Sequence, residues 1–244
     1  MGRHLLRRLC VTAPFFLLLP LAVASPAPEA SPAAEITVTP TPPPPRPATE
    51  IPLQSSEGWS QMAFRDIRPN EVRFTENGLV VEVKGSSSPL IYKLPVGTTA
   101  TIVEYAGNVS SLPKPAASAE EEFERDDYPL RVGLIVEGNE GPNWLERVFA
   151  PRWLLDAVKQ IGERPFSRVE FLTLAQRIPA GDRRQHPGTK YISQEVVGQL
   201  AVAGDFQIRH DVRATLPIAG IWVHCDGDAS DARFVVTVKS LRIR

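Results

Sequence analysis

Cysteine is nearly missing from this 244-residue chain, which has only Cys10 and Cys225. Cys10 sits in a leader expected to be removed, so what remains cannot form an internal disulfide. That excludes a disulfide-stapled mini-protein and a cysteine-cluster zinc site. A basic excess is also lacking. The chain has 27 basic and 28 acidic residues, a net charge of −1, and the first 24 residues hold three arginines and no acid, which leaves the remainder at −4. A nucleic-acid binder should show a basic footprint, so no nucleic-acid partner is expected. No G-x-S-x-G, phosphate-loop or dinucleotide fingerprint occurs, and His186, His210 and His224 make no H-x-x-x-H pair. Ser86-Ser87-Ser88 follows Gly85, runs into Pro89 and reads as a turn rather than a nucleophile. The longest apolar run, Leu9 to Ala24, is broken by Pro14 and Pro20 and is shorter than the ~20 residues of a spanning helix. No stable membrane span is therefore expected after processing.

That run has a different reading. Arg3, Arg7 and Arg8 precede it and Ala22-Val23-Ala24 closes it: a basic n-region, a short apolar h-region and an A-x-A site make a cleavable secretory signal over 1–24. The expected location is periplasmic or extracellular. Residues 25–57 are rich in Pro, Ala, Thr, Ser and Glu, with four consecutive prolines at 42–45. Such a segment buries too little apolar surface to offset its ordering entropy and reads as a disordered linker that proline keeps extended.

Residues 58–244 read as one domain dominated by strand signals. Expected strands are Trp59 to Arg65, Val72 to Thr75, Leu79 to Lys84, Leu90 to Leu94, Thr99 to Tyr105, Leu130 to Val136, Val169 to Leu174, Gln207 to Thr215, Ile218 to Cys225 and Phe234 to Ile243, with Asn77-Gly78 as a two-residue hairpin turn. One stretch near 144–162 carries helical periodicity, with Leu154, Leu155, Val158 and Ile161 before Gly162. Short strands and Pro/Gly turns predict a mainly β fold, an antiparallel β-sandwich of jelly-roll type with that one helical insertion.

The stretch Asp126-Asp127-Tyr128-Pro129-Leu130-Arg131-Val132 (DDY-x-x-R-V) resembles a family of exported bacterial domains of unknown function. The early Trp59, the Gly85-to-Ser88 hairpin end, the Leu112-Pro113 loop and the Asp-Gly-Asp turn before the last strand follow the same order. The resemblance implies a jelly-roll, carbohydrate-binding-module-like sandwich and export. It lends no activity. The family's Trp-x-Trp pair is absent, since Ile102-Val103-Glu104-Tyr105 stands in its place.

Two constellations could carry chemistry. Asp126, Asp127, Tyr128 and Arg131 form either a structural ion pair at a strand entrance or a polar ligand site, with carboxylates accepting sugar hydroxyls and Tyr128 stacking. On a continuous strand, Asp127 and Arg131 would share a face and Tyr128 would oppose it. Asp226, Asp228 and Asp231 place three carboxylates around Gly227. They form either an ordinary turn or oxygen ligands for calcium, the one cofactor the sequence points to, although not in an EF-hand pattern. Cys225 reads as a core residue, and His210 and His224 could meet on neighbouring strands. Trp144 and Trp153 would pack the helical segment or contact a partner.

Three functions fit these features. One is a non-catalytic envelope domain binding a glycan, a cell-wall saccharide or an envelope protein. Another is a carboxylate-based hydrolase of envelope glycans using Asp126, Asp127 or Asp226. The last is a structural or assembly protein of the periplasm.

Overall fold

The computed structural model describes residues 48–142, 146 and 150–244. The expected signal at 1–24, most of the expected linker and Trp144 lie outside the described residues. In chain order the elements are β1 (Thr49–Glu50), β2 (Trp59–Gln61), β3 (Glu71–Thr75), β4 (Gly78–Lys84), β5 (Ser87–Lys93), β6 (Thr99–Val109), α1 (Ala119–Arg125), β7 (Leu130–Glu137), α2 (Arg152–Lys159), β8 (Phe166–Ala175), β9 (Arg183–Gln185), β10 (Ile192–Gln199), β11 (Gly204–Asp226) and β12 (Arg233–Ile243).

Hydrogen bonding runs β3-β4-β12-β6-β11 in one sheet, with β1 on β12, and β2-β5-β11-β7-β8-β10-β9 in the other. The protein is therefore a mainly β sandwich. β11 belongs to both sheets: it pairs with β6 as far as Pro217, with β7 from Ile218 and with β5 from Gly220. The β6 register breaks between Asp211 and Leu216. The two strands expected at 207–215 and 218–225 are thus one strand that turns a corner. Pro217, with no N–H to donate, stands at the irregular crossing, where a sheet tolerates it. His210 and His224 therefore share a strand and lie in different sheets.

The inter-sheet core alternates as strand geometry requires. Val81, Val103, Tyr105, Val236, Val238 and Leu241 of one sheet pack with Leu130, Val132, Leu134, Leu172, Ile221 and Val223 of the other, all buried. Tyr105 donates its hydroxyl across the gap to the Leu172 carbonyl at 3.3 Å. Cys225 is buried in the same core, where burial pushes its thiol up.

Several features depart from the sequence reading. The folded body begins before residue 58, since β1 pairs with β12 and Ile51 and Leu53 are buried. The turn between β3 and β4 is Glu76-Asn77, because Thr75 pairs with Gly78. Gly78 sits at φ 117° against the Val238 carbonyl, where a Cβ has no room. β10 runs parallel to β8 in an otherwise antiparallel arrangement. α1 was not expected. Ser118 caps it by accepting from the Glu121 amide at 3.1 Å, while the Glu121 carboxylate accepts from the Ala117 amide at 2.6 Å. Buried Glu122 then accepts from the amides of Gln176, Arg177 and Ile178 at 2.6, 2.7 and 2.9 Å, fixing α1 to the end of β8.

α2 falls inside the expected helical insertion. Leu154, Ala157 and Ile161 bury against Ile91, Ile135, Val169 and Ala219 on the outer face of the second sheet. The helix covers only one end of that face and leaves the other end free to form a site.

Candidate functional site

The uncovered end of the outer face is a cleft of about 770 Å³, within the roughly 300–1,000 Å³ range of small-ligand sites. Strand alternation builds its floor. On β11, Ile221, Val223 and Cys225 point into the core, so Trp222, His224 and Asp226 point outward. Register sets Trp222 opposite Gly133, His224 opposite Arg131 and Asp226 opposite Ser87. Gly133 lies opposite Phe171 on β8. A Cβ at Gly133 would come within 2.7 Å of the Phe171 ring, so this glycine lets Phe171 fold against Trp222, with centroids 5.4 Å apart at 77°.

Arg131 organises the polar end. Its Nη1 donates to Asp126 Oδ1 at 2.7 Å, and its Nη2 lies 3.0 Å from Asp226 Oδ2 and 3.0 Å from His224 Nδ1. The guanidinium is also held over Tyr128 and Phe171, 5.1 and 5.4 Å from their ring centroids. Burial pushes the Asp226 carboxyl well above the ordinary carboxylate range; Arg131 opposes that rise and neighbouring Asp228 adds to it. Burial likewise holds His224 well below the usual histidine range, and Arg131 acts in the same direction.

This geometry fixes the His224 tautomer. Arginine only donates, so Nδ1 accepts and the proton sits on Nε2. Nε2 then donates to Ser87 Oγ at 2.8 Å. A histidine that donates to a serine cannot take that serine's proton, so the Ser87–His224 pair lacks the base of a hydrolytic triad. The three serines expected in a turn are buried. Ser87 opens β5, Ser86 Oγ donates to Asn70 Oδ1 at 2.8 Å, and Ser88 Oγ accepts from the Asn70 amide at 3.0 Å.

The expected residues separate into distinct roles. Asp126 takes a left-handed conformation, φ 58°, as the C-cap of α1, and lines the cleft beside Arg131. Asp127 turns away and accepts from the Ala229 and Ser230 amides at 3.2 and 2.7 Å, tying down the loop between β11 and β12. Burial raises its carboxyl. Tyr128 is fully buried, and its hydroxyl accepts from Gln194 Nε2 at 3.0 Å, so it offers no ring face to a ligand. Because β7 begins only at Leu130, strand alternation does not apply to 126–129. Tyr128 lies beneath Arg131 rather than opposite it.

The carboxylates that converge are Asp127, Asp226 and Asp228, with one ligand atom from each within 4.8 Å of the others. Asp231 is not in that group; it stands at φ 48° beside Gly85. The trio can supply three oxygens to a hard cation, which needs six to eight, so carbonyls and water would have to complete the shell.

No family model matches the chain, and no curated protein matches it. Among solved structures, a xylan-binding module CBM15 matches at 12% identity with a TM-score of 0.35, covering 80% of this chain and 94% of that one. A likeness that loose carries no functional argument, and the reading below rests on the cleft.

The sequence singles out Trp153 as a packing or partner-contact residue but does not show which segments meet at the cleft's upper parts. The segment after β2 brings Met62, Phe64 and Ile67, α2 brings Trp153, and the loop after β9 brings His186. Burial lowers the His186 imidazole. One signal for the floor was present in the sequence: Trp222, His224 and Asp226 recur at every second position of an apolar strand.

Proposed function

We propose that the domain is a non-catalytic saccharide-binding module that works outside the cytoplasm and takes its ligand in the cleft on the second sheet. The observation that carries this reading is the make-up of the cleft, where aromatic rings stand beside accessible charged groups of both signs. Arg125 and Arg152 can donate and Asp126 and Asp228 can accept. A sugar hydroxyl does both, so a polyol can satisfy a mixed set that a simple anion cannot. The half-buried rings of Phe64 and Trp153 supply the apolar surface that sugar C–H faces prefer. Export rests on the basic, apolar and A-x-A pattern of the leader, and the Nε2–H tautomer of His224 supports a binding role over serine chemistry.

The test is titration calorimetry and thermal shift with xylo-, cello- and chito-oligosaccharides and peptidoglycan fragments. The wild-type domain should bind at least one of them and leave it intact. Trp153→Ala should weaken binding at least tenfold while keeping the fold. Release of new reducing ends by the wild type, abolished in Asp226→Asn, would replace this reading with the hydrolase.

A further inference from the structure

The cleft is walled on every side of its floor. At one end of the strands stands α2, whose Trp153 rests edge-on against Trp222 with centroids 6.2 Å apart at 84°. At the other end stand Arg125 and Asp126, where α1 finishes, with Asp228 and Ala229 of the β11–β12 loop. The two parts of that second wall are fixed by separate anchors: buried Glu122 ties α1 to the end of β8, and Asp127 ties the loop.

The two sheet-edge sides are closed as well. From the β2–β5 edge, the segment Met62 to Ile67 reaches across β5, so that Phe64 meets His224 at 5.7 Å. From the β9–β10 edge comes His186. Trp153 joins both sides, with Phe64 at 6.1 Å and 84° and His186 at 5.7 Å and 62°. Phe64, Trp153 and His186 therefore form a continuous aromatic rim around three sides of the floor.

A polymer lying in this site would have to leave it over one of those walls. Along the strands it meets Trp153 or the Asp126–Asp228 end. Across them it meets Phe64 or His186. Trp222, Arg131 and Asp226 form the floor beneath that rim, so a chain approaches them end first from above.

We infer that the site recognises the terminal unit of a saccharide chain and excludes internal units of a polymer. This rests on the saccharide-binding reading and adds the form of the ligand to it.

The experiment compares three probes of whichever sugar series binds above: oligosaccharides of two to eight units, the same hexamer blocked at its reducing end by 2-aminobenzamide or at its non-reducing end by a bulky 4-O-ether, and the matching polymer. Affinity per mole of chain should stop rising after a few units. One of the two blocked hexamers should bind at least tenfold more weakly than the parent. The polymer should compete in proportion to its chain ends, not its mass. His186→Gly, which lowers one side wall without touching the floor, should restore part of the lost affinity for the blocked hexamer. Equal binding of parent and both blocked forms, or polymer affinity that grows with chain length, overturns this inference and leaves saccharide binding standing. No binding in any series overturns both.

Discussion

Replacing Arg131 by Met tests the polar end of the site most directly. The side chain is 3% exposed and holds Asp126, Asp226 and His224 at once. Methionine fills much of the same volume beside Tyr128 and Phe171 but leaves Asp226, 9% exposed, with no positive partner. Removing one member of a buried ion pair costs about 3–5 kcal/mol, because the other charge is left unpaired. For a domain of this size, 1 kcal/mol corresponds to about 2–4 °C, so Tm should fall by roughly 6–20 °C. The loss should depend on pH. Without Arg131 the Asp226 carboxyl rises further, so the folded variant keeps a proton that the unfolded chain has released. Wild-type Asp226 is itself raised, so the deficit grows with pH only between the folded pKa values of wild type and variant, by up to about 1.4 kcal/mol per unit there. Urea unfolding at pH 5 and pH 8 should therefore show the larger deficit at pH 8. Arg131→Met with Asp226→Asn should recover much of it, since no buried charge remains. A single variant within about 1 kcal/mol of wild type at pH 8, or a deficit independent of pH, refutes the assignment of Arg131 as the counter-charge to Asp226.

Other outcomes follow from the same geometry. His224 is neutral in the fold and its folded pKa lies below its unfolded value, so stability is full above about pH 6.5 and is lost as pH falls below it, by up to about 1.4 kcal/mol per unit; His224→Gln should flatten that limb in urea unfolding. Millimolar calcium should raise Tm and chelator reverse it if Asp127, Asp226 and Asp228 close on a cation, and Asp228→Asn should abolish the response; a Tm indifferent to both rules out a cation site at this trio. Gly133→Ala should push Phe171 off Trp222 and cost about 1–3 kcal/mol as an overpacked site, read by denaturant unfolding, with saccharide binding weakened in parallel.

What could be read from the sequence, and what could not, follows from the range of the interactions. Strands such as β4 and β7 were legible because one face of each is apolar throughout. β10 was not, because Gln194 occupies one of its buried positions to donate to Tyr128, which breaks the apolar period between Ile192 and Val196. α1 was hidden for a related reason. Its buried residue is a glutamate, so its Ser118–Glu121 capping pair was the only mark it left. Pro217 made one long strand look like two, because a local rule about proline applies inside a sheet but not at a corner where the strand changes partners.

The site shows the same limit more sharply. Asp126, Asp127, Tyr128 and Arg131 are adjacent in sequence and were read as a unit, yet the fold gives each a different task. The end of α1 turns Asp126 toward the cleft, the β11–β12 loop claims Asp127, and Gln194 claims Tyr128. The partners that Arg131 does have, His224 and Asp226, lie more than ninety residues away and meet it only through the β7–β11 register. No local pattern encodes that register. It is set by which faces of the two strands are apolar, since a slip of one residue would turn Trp222, His224 and Asp226 into the core and Val223 and Cys225 out of it. The same apolar burial that closes the sandwich therefore also assembles the charged floor. A substitution in the core face of β11 that loosens the register, such as Val223→Asn, should scatter the floor residues and abolish saccharide binding even where enough of the sandwich survives to keep a strand-rich circular-dichroism spectrum.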